Sequence, residues 1–238
     1  MNGPLGEVID AYRLGNYESA LEKCEGLKRG GKNTAPYCFM RGGMLLQLGS
    51  LIEGEVSLRE GLALEEWPRS QALVLSQLGV AMLDQARFDD AIAFFEESIK
   101  AYPRRGGSHR GIAEVHLRQG RKLLEALERA RKSVAIERGD NSLGAQNKNT
   151  NLSEALGVLA WAVAATSRDV SEAHSTLDEA FHLCGNKNLP MRAKLHYHAA
   201  RAYDALRNEE RTKFHLQEAS KFDPQGTFGR LARERLAA

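Results

Sequence analysis

The side chains with the most chemical reach in this chain are seven histidines, three cysteines and several pairs of adjacent acids. Catalysis would need a nucleophile, an acid and a base brought together, or a set of metal ligands at usable spacing. His196 and His198 are two apart, which on a helix turns them about 200° from each other, so they cannot share one ion. His109 with His116, and His174 with His182, share faces but lie about 10 to 12 Å apart along the axis. No pair has the i, i+4 spacing of a zinc helix. Glu65–Glu66, Asp89–Asp90, Glu96–Glu97 and Glu209–Glu210 diverge by about 100° and read as solvated faces. Gly42–Gly43 and Gly106–Gly107 lack the strand before and the Lys-Ser/Thr after that a phosphate loop needs. Cys24, Cys38 and Cys184 are odd in number with no close pair, which suits buried free thiols in a reducing compartment. No enzyme, no metal and no cofactor is implied.

The elements that would position any site are helices. Apolar residues recur at helical spacing almost everywhere, and no stretch alternates long enough to argue for a strand. Leu75, Leu78, Gly79, Met82 and Leu83 form one face, and Ala91, Ile92, Phe95, Ser98 and Ile99 form a second before Pro103. Two antiparallel helices closed by a proline fit that stretch. The turn between them recurs. Leu14-Gly15-Asn16-Tyr17 is matched by Leu48-Gly49-Ser50-Leu51, by Gln85-Ala86-Arg87-Phe88 and by Gln119-Gly120-Arg121-Lys122, with weaker versions at Arg168-Asp169 and Arg207-Asn208. Asn16, Ser50, Asp169 and Asn208 are suited to cap the helices that follow, and Glu53 and Glu172 complete capping boxes. Pro36, Pro68, Pro103, Pro190 and Pro224 punctuate the same period, with one gap doubled.

These residues resemble the tetratricopeptide repeat (TPR) family. The resemblance rests on the period of about 34 residues, the Leu78, Gly79 and Met82 set, the Phe88 to Ala91 turn and the Phe95, Ser98 and Pro103 set. It covers about 220 residues, strongest over 70–103 and weakest after 150. It implies an all-α, right-handed TPR-like solenoid of about six helix-turn-helix repeats with a C-terminal capping helix. Small residues at Ala20, Gly54, Gly79, Ala91, Ala113, Ala126, Ala173 and Ala200 would let paired helices approach closely. The expected organisation is repeats one to four over 1–137, a polar Gly/Asn-rich insert over 138–151, degenerate repeats five and six over 152–224, and the capping helix over 225–238. The insert reads either as a surface loop or as a hinge. In the tail, Phe228, Leu231, Ala232 and Leu236 share the face that would cover the last repeat.

The resemblance also implies a concave groove lined by the first helix of each pair. Projected here, it is formed by Phe39, Met40, Leu46 and Gln47, then Gln77, Val80, Leu83 and Asp84, then Arg110, Glu114, Leu117 and Arg118. Val158, Leu159, Ala162 and Thr166, and then Tyr197, His198, Arg201 and Asp204, extend it. Chaperone-binding members hold a peptide C-terminus with Lys, Asn and Arg side chains, and the corresponding places in the first three repeats carry Gly6, Ile9, Phe39, Met40, Gly43, Ser76, Gln77 and Val80, so that clamp is absent. The groove suits an apolar or amphipathic partner segment.

Charge sharpens the expectation. The net charge of +2 argues against nucleic acid as a partner. Yet residues 51–99 carry ten acids and three bases, and residues 100–133 carry ten bases and three acids. Arg110, Arg118, Arg121 and Lys122 could receive acidic residues of a partner, or the opposed regions could steer a homo-oligomer. Leu156 to Ala165, the longest strongly apolar run, is half of what a membrane helix needs, and no signal-peptide pattern opens the chain, so a cytoplasmic protein is expected. The sequence predicts a non-catalytic interaction scaffold; a self-associating module with an occupied groove and a subunit that senses a small ligand are the alternatives.

Overall fold

The computed structural model describes residues 3–28, 30–140 and 144–237. Its described residues form thirteen α-helices and one turn of 3-10 helix at Cys24–Leu27. They fall into two compact units. The first spans residues 1–103 and groups with 225–227; the second spans 104–224 and 228–238.

The first unit contains α1 (Pro4–Arg13), α2 (Tyr17–Lys23), α3 (Ala35–Leu48), α4 (Leu51–Ala63), α5 (Pro68–Asp84) and α6 (Phe88–Ala101). They pack as sequential pairs, α1 on α2, α3 on α4 and α5 on α6, while α3 touches α5 and α4 touches α5. Small residues set the spacing within pairs. A Cβ added at Gly79 of α5 would sit 2.6 Å from the Phe95 ring of α6. Phe95 is fully buried there, so the missing side chain on one helix is the pocket for the largest side chain of the other. Buried serines tie the pairs further: Ser57 Oγ donates to the Cys38 carbonyl at 3.0 Å and Ser98 Oγ to the Ala72 carbonyl at 2.6 Å.

The second unit contains α7 (Gly106–Gln119), α8 (Leu123–Gly139), α9 (Ala145–Thr166), α10 (Val170–Cys184), α11 (Leu189–Ala205), α12 (Glu209–Phe222) and α13 (Thr227–Ala237). The pairs are α7 with α8, α9 with α10 and α11 with α12, and the first helices α7, α9 and α11 touch in succession. Its main core joins Ala126 and Ala130 of α8 to Trp161 and Val163 of α9, Leu177 of α10 and Leu195 of α11. On α13, Phe228 and Ala232 are buried against Tyr197, Ala200 and Leu216. Leu236, expected on the same face, stays exposed.

The two helices of a pair are joined by one repeated turn. Gly15, Gly49, Ala86, Gly120, Arg168 and Arg207 all have positive φ. In five of the six, the next residue's N–H donates to the carbonyl five back, as from Asn16 to Ala11, Ser50 to Leu45 and Asn208 to Tyr203. That is the Schellman closure of a helix. At the fifth turn the bond comes from Arg168 itself, to Val163. The turns that look weak in sequence therefore keep the same backbone, without the glycine that usually supplies it.

Two expectations are corrected. Of the four proposed caps, Asp169 and Asn208 accept N–H bonds from Glu172 and Arg211, whereas Asn16 and Ser50 make none. Asn16 and Ser50 have ψ of 67° and 66°, against 101° and 85° for Asp169 and Asn208. Second, the polar segment 138–151 is half helix: α9 already begins at Ala145, and Lys148 N–H donates to the Gly144 carbonyl. Asn151, in the second turn of α9, hydrogen-bonds the buried Glu137 carboxylate. The division between compact units follows Pro103, and residues 141–143 of the polar segment lie outside the described residues.

Candidate functional site

The first helices of the second unit carry ionisable residues along one stripe each. Arg110, Glu114 and Arg118 are spaced i, i+4, i+8 on α7; Glu154 and Trp161 are i, i+7 on α9; Lys194, His198 and Arg201 are i, i+4, i+7 on α11. Those spacings put each set on one helix face. Because α7 and α11 both pack on α9, the three stripes meet.

Glu154 lies between two cations. Arg110 Nη2 is 2.8 Å from its Oε2, and Lys194 Nζ bonds its Oε1. Arg118 forks onto Oε1 of Glu114 from Nε at 3.0 Å and Nη2 at 2.6 Å. The other oxygen of Glu114 faces His198 Nε2 at 3.8 Å, beyond hydrogen-bond range. His198 is fully buried, packed near Trp161 and Phe228, and fits because α9 has Gly157 opposite, where a Cβ would come within 3.1 Å of its ring. The Arg201 guanidinium lies over the Trp161 ring, 4.8 Å from its centroid. Arg235 of α13 pairs with Asp204 at 2.8 Å, and Arg201 reaches the same carboxylate only at 3.9 Å.

These groups are largely out of water: side-chain exposure is 13% for Arg110 and Glu154, 16% for Lys194 and Arg118 and 6% for Glu114. Burial alone would raise both carboxyls, but the cations outweigh it. Arg110 and Lys194 bring Glu154 down to about 2, and Arg118, His198 and Lys194 hold Glu114 well below the usual carboxylate range. Burial lowers His198, and Glu114 opposes that shift. Burial, and then repulsion from Arg235, lowers the Arg201 guanidinium. Nearby, burial raises Glu137 above the usual carboxylate range, although Arg110 and Arg105 oppose it.

The expected groove residues separate into three groups. Phe39 and Met40 on α3 and Gln77 and Val80 on α5 are half-buried in the first unit, with Met40 packed on its core. Arg110, Glu114 and Arg118 come together with Glu154, Lys194 and His198 as described. Leu46, Leu83 and Leu117 are buried, at 2%, 3% and 4% exposure, and present nothing to a ligand. Their shared register explains this correction: each lies three residues before the left-handed residue of its turn and accepts that residue's N–H. At that position the side chain points at the second helix, and Leu46 lies where a Cβ on Gly54 of α4 would be, 2.9 Å away.

Several cations of the basic stretch 100–133 have carboxylate neighbours. Arg110 and Arg118 are paired as above, Lys122 and Arg129 approach Glu125, and Arg131 pairs with Glu172. Sequence reasoning weighed Arg110 and Arg118 as open cations, but it had no view of Glu154, whose neighbours Ser153 and Ala155 carry no sign of a charged site.

A second cluster was missed because its members are on three helices. His196 Nδ1 and His215 Nδ1 are 2.9 Å apart; His174 Nδ1 is 2.8 Å from the Tyr203 hydroxyl, to which Arg211 donates at 2.7 Å. Burial pushes His196 down to about 3 and His215 to about 4. Among the described residues, no group of three or more His, Cys, Asp or Glu could hold a metal ion.

Solved structures of similar shape decide the fold. A thermophilic TPR protein from Thermus thermophilus, TTC0263, superposes with a TM-score of 0.62 at 20% identity, over 85% of this chain and 97% of that one. The chain has the tetratricopeptide-repeat fold. The Rap conjugation gene regulator of plasmid pLS20, solved with the Phr* peptide, matches this TPR chain at TM-score 0.66 and 12% identity, over 98% of it and 73% of the regulator. BtubC from P. vanneervenii matches at 0.53 and 14%, over 92% of this chain and 87% of that one. No protein-family model and no curated protein matches the TPR chain in sequence. Among its described residues no helix is long and apolar enough to cross a membrane.

Proposed function

We propose that the chain is a non-catalytic interaction module that binds a partner peptide or helix along α7, α9 and α11. The observation that carries this is the desolvated charge network on those three helices. A buried ion pair costs several kcal/mol per ion in lost hydration, and apolar residues of the same volume would usually serve stability as well or better. The fold does not demand the network, since the equivalent helices α3 and α5 carry Phe39, Met40, Gln77 and Val80 and fold without it. The cost is then understandable as the cost of recognition. The peptide held by the similarly folded Rap regulator supports the same reading.

The test is selection from a random heptapeptide library on the full chain. Wild type is expected to enrich a subset of peptides, Arg118→Met and Lys194→Met to lose them, and Val80→Lys on α5 to keep them. Loss confined to Val80→Lys would sink the assignment to this face. Self-association is a second reading, favoured by exposed aliphatic side chains at Ile52 and Val56 on α4 and Leu124 on α8. Light scattering that shows a dimer abolished by Ile52→Glu would favour it.

A further inference from the structure

Phe228, Leu231, Ala232 and Arg235 of α13 stand at i, i+3, i+4 and i+7, the spacing of the anchors that an amphipathic helix presents to a groove. Phe228 and Ala232 are buried, and Leu231 packs beside them. The Phe228 ring centroid lies 5.6 Å from that of Tyr197 and 5.8 Å, edge to face, from that of His198, with the Lys194 ammonium 5.1 Å away. Arg235 reaches Asp204. Tyr197, His198 and Asp204 belong to the expected groove, and Lys194 is the cation that also bonds Glu154. α13 therefore occupies the α11 part of the proposed partner face, with the contacts of a ligand.

Its hold is uneven. From Arg233 onward its residues are exposed. The Arg235–Asp204 pair is 38% and 47% exposed, so it adds little. At the covered surface both ring nitrogens of His198 are buried without a hydrogen-bond partner. Covering a polar group and leaving it unanswered costs free energy, which an apolar residue there would avoid. Docking also depends on Gly229. A Cβ at that position would lie 1.8 Å from the Asp223 carbonyl oxygen, so the chain turns from α12 into the docked α13 only around a glycine.

We infer that α13 is an internal ligand that a partner helix displaces. The surface of α11 and α12 beneath it takes an amphipathic helix with an aromatic residue, a leucine, a small residue and an arginine at i, i+3, i+4 and i+7. This rests on the α7, α9 and α11 reading and adds to it the partner's pattern and a built-in competitor. Tethered by residues 223–226, α13 acts at an effective concentration on the order of millimolar. Only chains with α13 undocked are open to the partner, which lowers its apparent affinity by that fraction.

The experiment reads the anisotropy of a fluorescein-labelled peptide of residues 227–237 on the full chain. Gly229→Ala in the protein forbids the docked turn and leaves the docking surface of α11 and α12 unchanged. It is expected to bind the peptide at least 10-fold more tightly than wild type does, and the same peptide carrying F228A is expected to lose at least 10-fold. Equal affinity of wild type and Gly229→Ala, or equal binding of the two peptides, would overturn the inference. Hydrogen exchange supplies the second readout: in Gly229→Ala the amides of 228–237 should lose protection while α11 and α12 keep theirs. Loss across all three helices would make α13 part of the core and overturn the inference too. A Gly229→Ala dimer in light scattering would make a second copy's α13 the occupant, against a separate partner. If peptides of eleven residues selected from a random library bind wild type and leave α13 protected, displacement fails and the face stands. If neither wild type nor Gly229→Ala selects any, the face is wrong and the inference falls with it.

Discussion

The two units use the same helix pairs and close them with the same turn, yet their first helices present opposite chemistry. In the first unit α3 and α5 offer Phe39, Met40, Gln77 and Val80, half-buried and uncharged. In the second, α7, α9 and α11, joined by Arg235 of α13, set five cations against three carboxylates: Arg110, Arg118, Lys194, Arg201 and Arg235 against Glu114, Glu154 and Asp204. The regularity of the repeat runs the other way. The stretch that follows the repeat most closely, 70–103, lies in the unit without the buried network, and the stretch that departs from it most, after 150, supplies Glu154 and Lys194 to that network. The local rules of the repeat hold best where packing alone decides the residue.

The sharpest way to break this contrast is to remove the carboxylate at the centre of the network. Glu154→Ala would leave Arg110 and Lys194 buried without a partner and is expected to cost about 3–5 kcal/mol in urea unfolding. Gln77→Ala on α5 should cost under about 1 kcal/mol. Similar losses would mean that the network is no more critical than an ordinary polar position.

Acid should separate the units next. All seven histidines lie in the second unit. His109, His196 and His215 have folded-state pKa values below the unfolded value near 6.5, down to about 4, 3 and 4. A group depressed in this sense stabilises the fold above the unfolded pKa and loses that contribution as pH falls towards the folded one. By pH 4.5 the loss from His196 alone is roughly 3 kcal/mol. Glu154, at about 2, adds to it only below about pH 4.5. Thermal melts between pH 7.5 and 4.5 should show the second unit unfolding first; simultaneous loss of both would contradict this.

In the first unit the weak point is geometric. Gly79→Ala drives a Cβ to 2.6 Å from the Phe95 ring and should cost about 1–3 kcal/mol, recovered in part by Phe95→Leu in the same chain. The smallest effect is expected at the turns. Ala86→Gly and Arg207→Gly relieve a side chain held at φ of 56° and 59°, and each should raise stability by up to about 1 kcal/mol after the added freedom of the unfolded chain is counted. A loss at either position would show that its side chain does more than occupy the turn.

Much of the fold was legible because the period-34 punctuation and small residues such as Gly79 and Ala91 answer to contacts a few residues or one helix away. The turns at Arg168 and Arg207 were harder to read, since their left-handed backbone is set by hydrogen bonds to Val163 and Tyr203 and not by glycine. Arg110, Glu114, Arg118, His198 and Arg201 could be placed on the right helices by the repeat, but not Glu154 and Lys194, which are 40 residues apart and meet only through α9 and α11. The leucines at 46, 83 and 117 misled because apolar side chains at the end of a first helix look alike whether they face a groove or the partner helix.

The stacking of Arg201 on Trp161 also makes the protein its own indicator. The chain has two tryptophans, one per unit: Trp67, 75% exposed, and Trp161, 3% exposed. Their emission maxima should therefore be well separated, the exposed indole to the red and the buried one to the blue. Loss of the guanidinium from the ring face would change the intensity of the blue component and leave the red one as an internal reference. The order in which the two units unfold can then be followed by light alone, with no label attached.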